Sequence, residues 1–122
     1  MGTVLVVEDF DAAREVVMRI LSREGYNVIG AADGLEAWDT VHTSTPDLVL
    51  LDLMMPGMDG MTLLTKLRGE PGFEDLPVIM LSALSDEARM RKAKELGAQD
   101  YLVKSRFTYD DLVRRVEQHV RH

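Results

Sequence analysis

Short apolar runs with no polar alternation recur along the chain: Val4-Leu5-Val6-Val7, Leu48-Val49-Leu50-Leu51 and Val78-Ile79-Met80-Leu81, with shorter ones from Tyr26 to Ile29 and from Gln99 to Val103. Runs of this length suit strands buried on both faces of a sheet better than strands wetted on one side. The segments between them carry apolar residues at three-and-four spacing. Asp11 is placed to cap a helix with Ala13, Val16, Val17, Ile20 and Leu21 on one face, stopped by Gly25. Asp33-Gly34-Leu35-Glu36 has the form of a capping box before a helix with Leu35, Trp38 and Val41 inward, closed by Pro46. Pro56-Gly57 forces a turn ahead of a helix marked by Leu63, Leu64 and Leu67 and ending near Gly69; residues 70–76 read as a polar loop. Ser85 is placed to cap the next helix, which finishes at Gly97. Thr108, with Asp111 three residues on, opens a last helix with Leu112, Val113, Val116 and Val120 inward.

Five strands alternating with five helices, each connection long enough for a crossover, predict an α/β fold with an open, doubly wound parallel sheet. The strand order of such a sheet reverses somewhere, and its ligand crevice lies at that reversal, outside the carboxyl ends of the strands. If the first and third strands flank the reversal, Glu8, Asp9 and Asp52 meet there. Spacing alone does not determine the order.

The 122 residues are one domain's worth, so residues 1–122 are expected to form a single domain. A formal charge of −7 repels phosphate backbones, which argues against direct nucleic-acid binding. No apolar run is long enough to span a bilayer, no signal peptide precedes the first strand, and the chain has no cysteine. Together these predict a cytoplasmic protein that does not engage a membrane.

Four of the five strands end on a functional group: Glu8 and Asp9, Asp52, Ser82 and Lys104. Each is commonplace alone; jointly, at one sheet edge, they describe a phosphoryl-transfer site. Three crowded carboxylates cannot all stay ionised without counter-charge. Oxygen-only ligands with no His or Cys point to Mg²⁺ or Mn²⁺. With that cation and the ammonium of Lys104, the three acids balance to zero. Asp52 can then act as a nucleophile and form an acyl phosphate, with Lys104 on the equatorial oxygens and Ser82 donating to one of them.

The segments Val-Val-Glu8-Asp9, Asp52-Leu-Met-Met-Pro56-Gly-Met-Asp59-Gly60, Ser82-Ala83 and Gly97-Ala-Gln-Asp100-Tyr101-Leu-Val-Lys104 stand in an order and spacing that resemble the receiver domain of two-component response regulators, the chemotaxis-type phosphoacceptor fold. The resemblance covers the whole chain and implies a flavodoxin-like strand order, 2-1-3-4-5. It implies that Asp52 accepts phosphate from a phosphohistidine on a sensor histidine kinase or histidine phosphotransfer domain. It also implies that Asp9, Asp52 and the backbone carbonyl of Met54 bind Mg²⁺, with Glu8 helping through water. Ser82 and Tyr101 become the switch pair, the ring turning inward. The output face for a downstream partner is then the helix from Ser85 to Leu96, the strand from Gln99 to Val103 and the last helix, where Arg89, Arg91, Lys92 and Lys94 cluster. Kinase docking is expected near the first helix and the loop after Asp52. Such a protein is a self-catalysed switch and not a turnover enzyme.

Two residues depart from the family pattern. Glu8 stands where Asp is commoner, and its extra methylene could bring it onto the metal or crowd it. Ser105 stands where Pro usually follows the lysine; a cis bond before a non-proline residue costs about 2.5 to 4 kcal/mol, so a trans Lys104–Ser105 bond, or a cis one held by strain, is expected. These departures leave room for a receiver-like binding module that never takes phosphate. A dehalogenase-type phosphatase is disfavoured, because Met54 occupies the place of its second acid. Met54 and Leu84, two residues beyond Asp52 and Ser82, are either loop packing or a barrier to water that prolongs the life of the phosphoryl group. Met55, Met58 and Met61 read as gap-fillers, and His42, His119 and His122 as surface residues.

Overall fold

Each apolar run becomes a parallel strand, and the crossovers decide which way the sheet grows. The computed structural model describes residues 2–55, 57–83 and 85–120; expectations for Pro56, Leu84 and His122 lie outside the described residues. In chain order the elements are β1 (Thr3–Val7), α1 (Asp11–Arg23), β2 (Asn27–Ala31), α2 (Gly34–Ser44), β3 (Leu48–Asp52), α3 (Gly60–Arg68), β4 (Val78–Ser82), α4 (Glu87–Glu95), β5 (Asp100–Val103) and α5 (Tyr109–His119). The strands pair in parallel in the order β2-β1-β3-β4-β5, as the resemblance implied. From β1 the chain steps outward to β2, then returns past β1 to β3 and continues to β5. Crossovers of one hand therefore put α1 on one face and α2, α3 and α4 on the other.

Side-chain alternation along the strands divides the core accordingly. Val4, Val6, Leu48, Leu50, Ile79, Leu81 and Leu102 pack with Leu21 of α1 and with Leu112, Val116 and Val120 at α5. Leu5, Val7, Val49, Leu51, Met80 and Tyr101 pack with α2, α3 and α4 through Val41, Leu63, Leu64, Leu67 and Ala93. β3 and β4 are buried along their whole length, which is why neither shows polar alternation.

Several local expectations change. Phe10, not Asp11, stands at the N-terminal cap of α1; Asp11 is the first helical residue, and its carboxylate pairs with Arg14 at 2.6 Å. Asp86, not Ser85, caps α4 by accepting from the Ala88 N–H at 2.8 Å. Asp33 caps α2 as expected, but the Glu36 carboxylate returns to the N–H of Ala32, one residue before the cap. The full capping box appears at α5, between Thr108 and Asp111. β2 begins one residue later than expected and runs on to Ala31. Val16 and Leu35, expected inward, are 55% and 65% exposed because they lie on outer flanks of their helices. Met55 is buried, and Met58 and Met61 pack against the core, as gap-fillers should. Gly97, at φ +104°, makes the turn that ends α4, a conformation costly for any other residue.

The far end of α5 is held by charge. Asp100, opening β5, accepts from Arg115 at 2.7 and 2.6 Å, from His119 at 3.1 Å and from the Tyr101 N–H at 2.9 Å. His119 is therefore half-buried against an acid and not a loose surface residue. Burial alone would raise the Asp100 pKa, but these donors outweigh it and hold the carboxyl below its ordinary 3.8. A depressed carboxyl stabilises the fold above its unfolded pKa, and that contribution is lost as pH falls through the folded one. Urea titrations should show wild type more stable than Asp100→Asn by a constant margin near neutrality, with the gap closing below about the unfolded value of 3.8. A gap independent of pH would mean that Asp100 acts only through its shape.

Candidate phosphoryl-transfer site

Register brings the site together. Val7 pairs with Leu51, so Glu8 follows beside Asp52; Asp52 pairs with Leu81; Ser82 pairs with Val103, and Lys104 comes next. The Lys104 N–H donates to the Ser82 carbonyl at 2.7 Å, extending the ladder past the strand end. The Lys104–Ser105 bond is trans, as expected for a non-proline residue. Gly60 lets α3 start directly against β3: a Cβ there would lie 2.5 Å from the Asp52 carbonyl oxygen and 2.9 Å from the Leu53 Cα. The Arg14 guanidinium, which no sequence pattern marked, donates to the Glu8 carbonyl at 2.8 Å and ties the turn after β1 to α1.

Glu8 and Asp52 are 5% and 4% exposed, while Asp9 lies open at the rim. One carboxylate oxygen from each of the three falls within 4.8 Å of the others. Lys104 Nζ donates to Glu8 Oε1 at 2.5 Å and lies 3.4 Å from Asp52 Oδ2. The additional methylene of Glu8 thus carries its carboxylate onto the lysine, an outcome beyond the two that the sequence suggested. Asp52 Oδ1 accepts from the Met54 N–H at 3.2 Å. Glu8 Oε2 is buried and, among the described residues, finds no hydrogen-bond partner. An orphaned carboxylate oxygen beside two further acids is a donor set that suits a hard divalent cation.

Burial, reinforced by the nearness of Asp52, raises the Glu8 pKa above 4.5, although Lys104 pulls the other way. Burial tends to lower the pKa of Lys104, but its bond to Glu8 and the charge of Asp52 prevail and raise it above 10.5. The pocket is therefore short of positive charge with Lys104 as its nearest cation. Glu8 and Lys104 also line an apolar cavity of about 250 Å³ between α1 and α5, with Val17, Ile20 and Phe107 among its other walls.

Ser82 and Tyr101 belong to the opposite face by alternation, toward α4. Ser82 is fully buried and Tyr101 is 6% exposed, so the ring already lies inside, the position that the resemblance reserves for the switched form. Met54 is 57% exposed at the mouth of the groove between α3 and α4.

An open parallel sheet in the order β2-β1-β3-β4-β5, with Glu8, Asp9, Asp52 and Lys104 at its carboxyl edge, is the arrangement that the receiver resemblance implied. The chain belongs to the response regulator receiver domain family, whose model matches residues 4–117. It is 40% identical over 113 residues to response regulator MprA of Mycobacterium tuberculosis, covering 93% of this chain and 48% of that protein. The chemotaxis protein CheY4 of Vibrio cholerae has the same fold, with a TM-score of 0.92 and 29% identity over 98% of this chain and 99% of that one. The Mn²⁺-bound form of response regulator Rcp1 superposes with a TM-score of 0.80 and 29% identity, covering 97% of this chain and 91% of that one. The chain spans about half the length of the curated relatives it matches. No helix among the described residues is long and apolar enough to cross a membrane.

Replacing Lys104 by Met strips Glu8 of its cation while leaving it buried. The Glu8 carboxyl, followed by carbon-13 NMR, should then titrate at higher pH than in wild type, and an unchanged midpoint would show that the ion pair does not govern it.

Proposed function

We infer that residues 1–122 form a single receiver domain that accepts a phosphoryl group on Asp52 from the phosphohistidine of a sensor histidine kinase or histidine phosphotransfer domain. The carrying observation is that the Asp52 carboxylate, 4% exposed, ends β3 inside an acidic cluster with the ammonium of Lys104 at 3.4 Å. An Asp52 oxygen attacks phosphorus; the O–P bond forms as the P–N bond breaks, and the imidazole nitrogen leaves with the electron pair. Lys104 exchanges part of its hold on Glu8 for the phosphoryl oxygens as charge spreads onto them. Asp9, Asp52 and the Met54 carbonyl would hold Mg²⁺ or Mn²⁺, with Glu8 close by; the Mn²⁺-bound form of Rcp1 and the orphaned Glu8 oxygen support this. When bound, the cation offsets the charge of the acids and of the incoming phosphoryl group.

Ser82 and Tyr101 report the event to α4, β5 and α5. A groove of about 280 Å³ on that face, with Tyr101, Arg106, Phe107 and Arg115 among its walls, offers a downstream protein partner both apolar and basic contacts. Of the basic residues of α4, Arg89 and Lys92 line the groove toward α3 instead, while Arg91 and Lys94 are exposed. The domain works as a cytoplasmic switch, biasing a two-state equilibrium and not turning over substrate.

Incubation with acetyl phosphate or phosphoramidate plus Mg²⁺ should add the mass of one phosphoryl group, and Asp52→Asn or chelation of the metal should abolish the gain. A wild-type chain that takes no phosphate would instead be a phosphorylation-independent binding module. Met54→Asn combined with Leu84→Glu, which replaces the two apolar side chains two residues beyond Asp52 and Ser82 by polar ones, should speed phosphoryl loss several-fold. An unaltered decay would assign Met54 to loop packing alone.

A further inference from the structure

Away from the phosphoryl site, on the face of α2 and α3, the ring of His42 sits between two aromatic neighbours. Trp38 meets it edge-on with centroids 4.6 Å apart and planes at 65°; Phe73, in the connection from α3 to β4, does so at 5.1 Å and 88°. His42 Nδ1 lies 2.7 Å from the Trp38 carbonyl oxygen, and Nε2 lies 3.2 Å from Glu70 Oε2. A carbonyl and a carboxylate only accept. A neutral imidazole has one N–H and can satisfy one of them; the imidazolium donates to both.

We propose that His42 is held as an imidazolium and acts as a pH-sensitive clasp fastening the last turn of α2 to the α3–β4 connection. The charged groups facing it come from all three elements. Asp39 on α2 and Glu70 in the connection favour the cation. Lys66 on α3, its Nζ 4.8 Å from the centroid of the Trp38 ring, opposes it. The final turn of a helix favours a positive charge. The bond to the Trp38 carbonyl is the largest influence raising the His42 pKa above 6.5; slight burial opposes it, and Glu70 and Asp39 add to it.

The sign follows from this shift. A histidine whose folded pKa is raised contributes stability that is complete below the unfolded pKa and is lost as pH rises through the folded one. On deprotonation, one of the two hydrogen bonds must go. The segment released runs through Phe73 to Leu76, which is fully buried, and on into β4, the strand that ends in Ser82. The clasp therefore couples solution pH near neutrality to the looseness of the approach to β4.

NMR titration of the His42 ring, in the folded chain and in urea, tests the clasp. The folded midpoint should lie above the unfolded one, and Glu70→Gln should move it down. Amide exchange at residues 41–44 and at Glu70, Gly72 and Phe73, corrected for the intrinsic pH dependence, should lose protection several-fold as pH rises through the midpoint. In His42→Asn that protection should be low at every pH. A folded midpoint at or below the unfolded one, a midpoint indifferent to Glu70→Gln, or protection that stays constant across the titration would each overturn the proposal.

Discussion

Two carboxylates buried side by side at the end of a parallel sheet form the constraint on which the rest of this structure depends. Glu8 and Asp52 sit on adjacent strands, within reach of the same ammonium, and Asp9 stands at the rim. Like charges this close, with Glu8 and Asp52 buried, repel, and the repulsion is relieved by protonation, by a lysine or by a cation. Lys104 relieves it in part. Its short bond to Glu8 leaves the other Glu8 oxygen without a partner among the described residues and Asp52 only loosely held. A site arranged in this way is prepared for more positive charge and for a group that draws Lys104 toward Asp52.

The fold exists to maintain that crowding. Backbone ladders hold β3 as far as Leu51 on the β1 side and Asp52 on the β4 side, and the absence of a side chain at Gly60 lets α3 begin against the same backbone. A shift of β3 by one residue would turn the Asp52 carboxylate from its own face toward the apolar packing on the other, so the register is held. The carboxylates therefore cannot retreat from each other by small movements of the sheet. At the opposite end of β5, Asp100 anchors α5 through an ion pair with Arg115 and a hydrogen bond with His119, on the flank of the strand that leads to Lys104.

Much of this was legible in the sequence because its signals are local. An apolar run ending on Asp52, a turn after it and a helix marked by Leu63, Leu64 and Leu67 are all read within twenty residues of chain. Composition and spacing left the strand order open; the family resemblance supplied it. Local signals failed where two residues could serve one purpose, as with Ser85 and Asp86 at the start of α4. They also failed where the neighbouring element decides which flank of a helix is covered, as at Val16 and Leu35. Pairings across long separations were out of reach: Lys104 meets Glu8 from 96 residues away, and His42 meets Glu70 from 28. No pattern in a single sequence records such contacts, and they determine how Glu8 and His42 behave.

A crystal structure of the chain with Mg²⁺ and beryllofluoride, a mimic of the phosphoryl group, tests the central claim most directly. The account predicts beryllium bonded to an Asp52 oxygen, the Mg²⁺ between Asp9, Asp52 and the Met54 carbonyl, and Lys104 moved from Glu8 onto a fluoride. Beryllofluoride bound elsewhere, or a vacant Asp52 with Lys104 still fastened to Glu8, would contradict it.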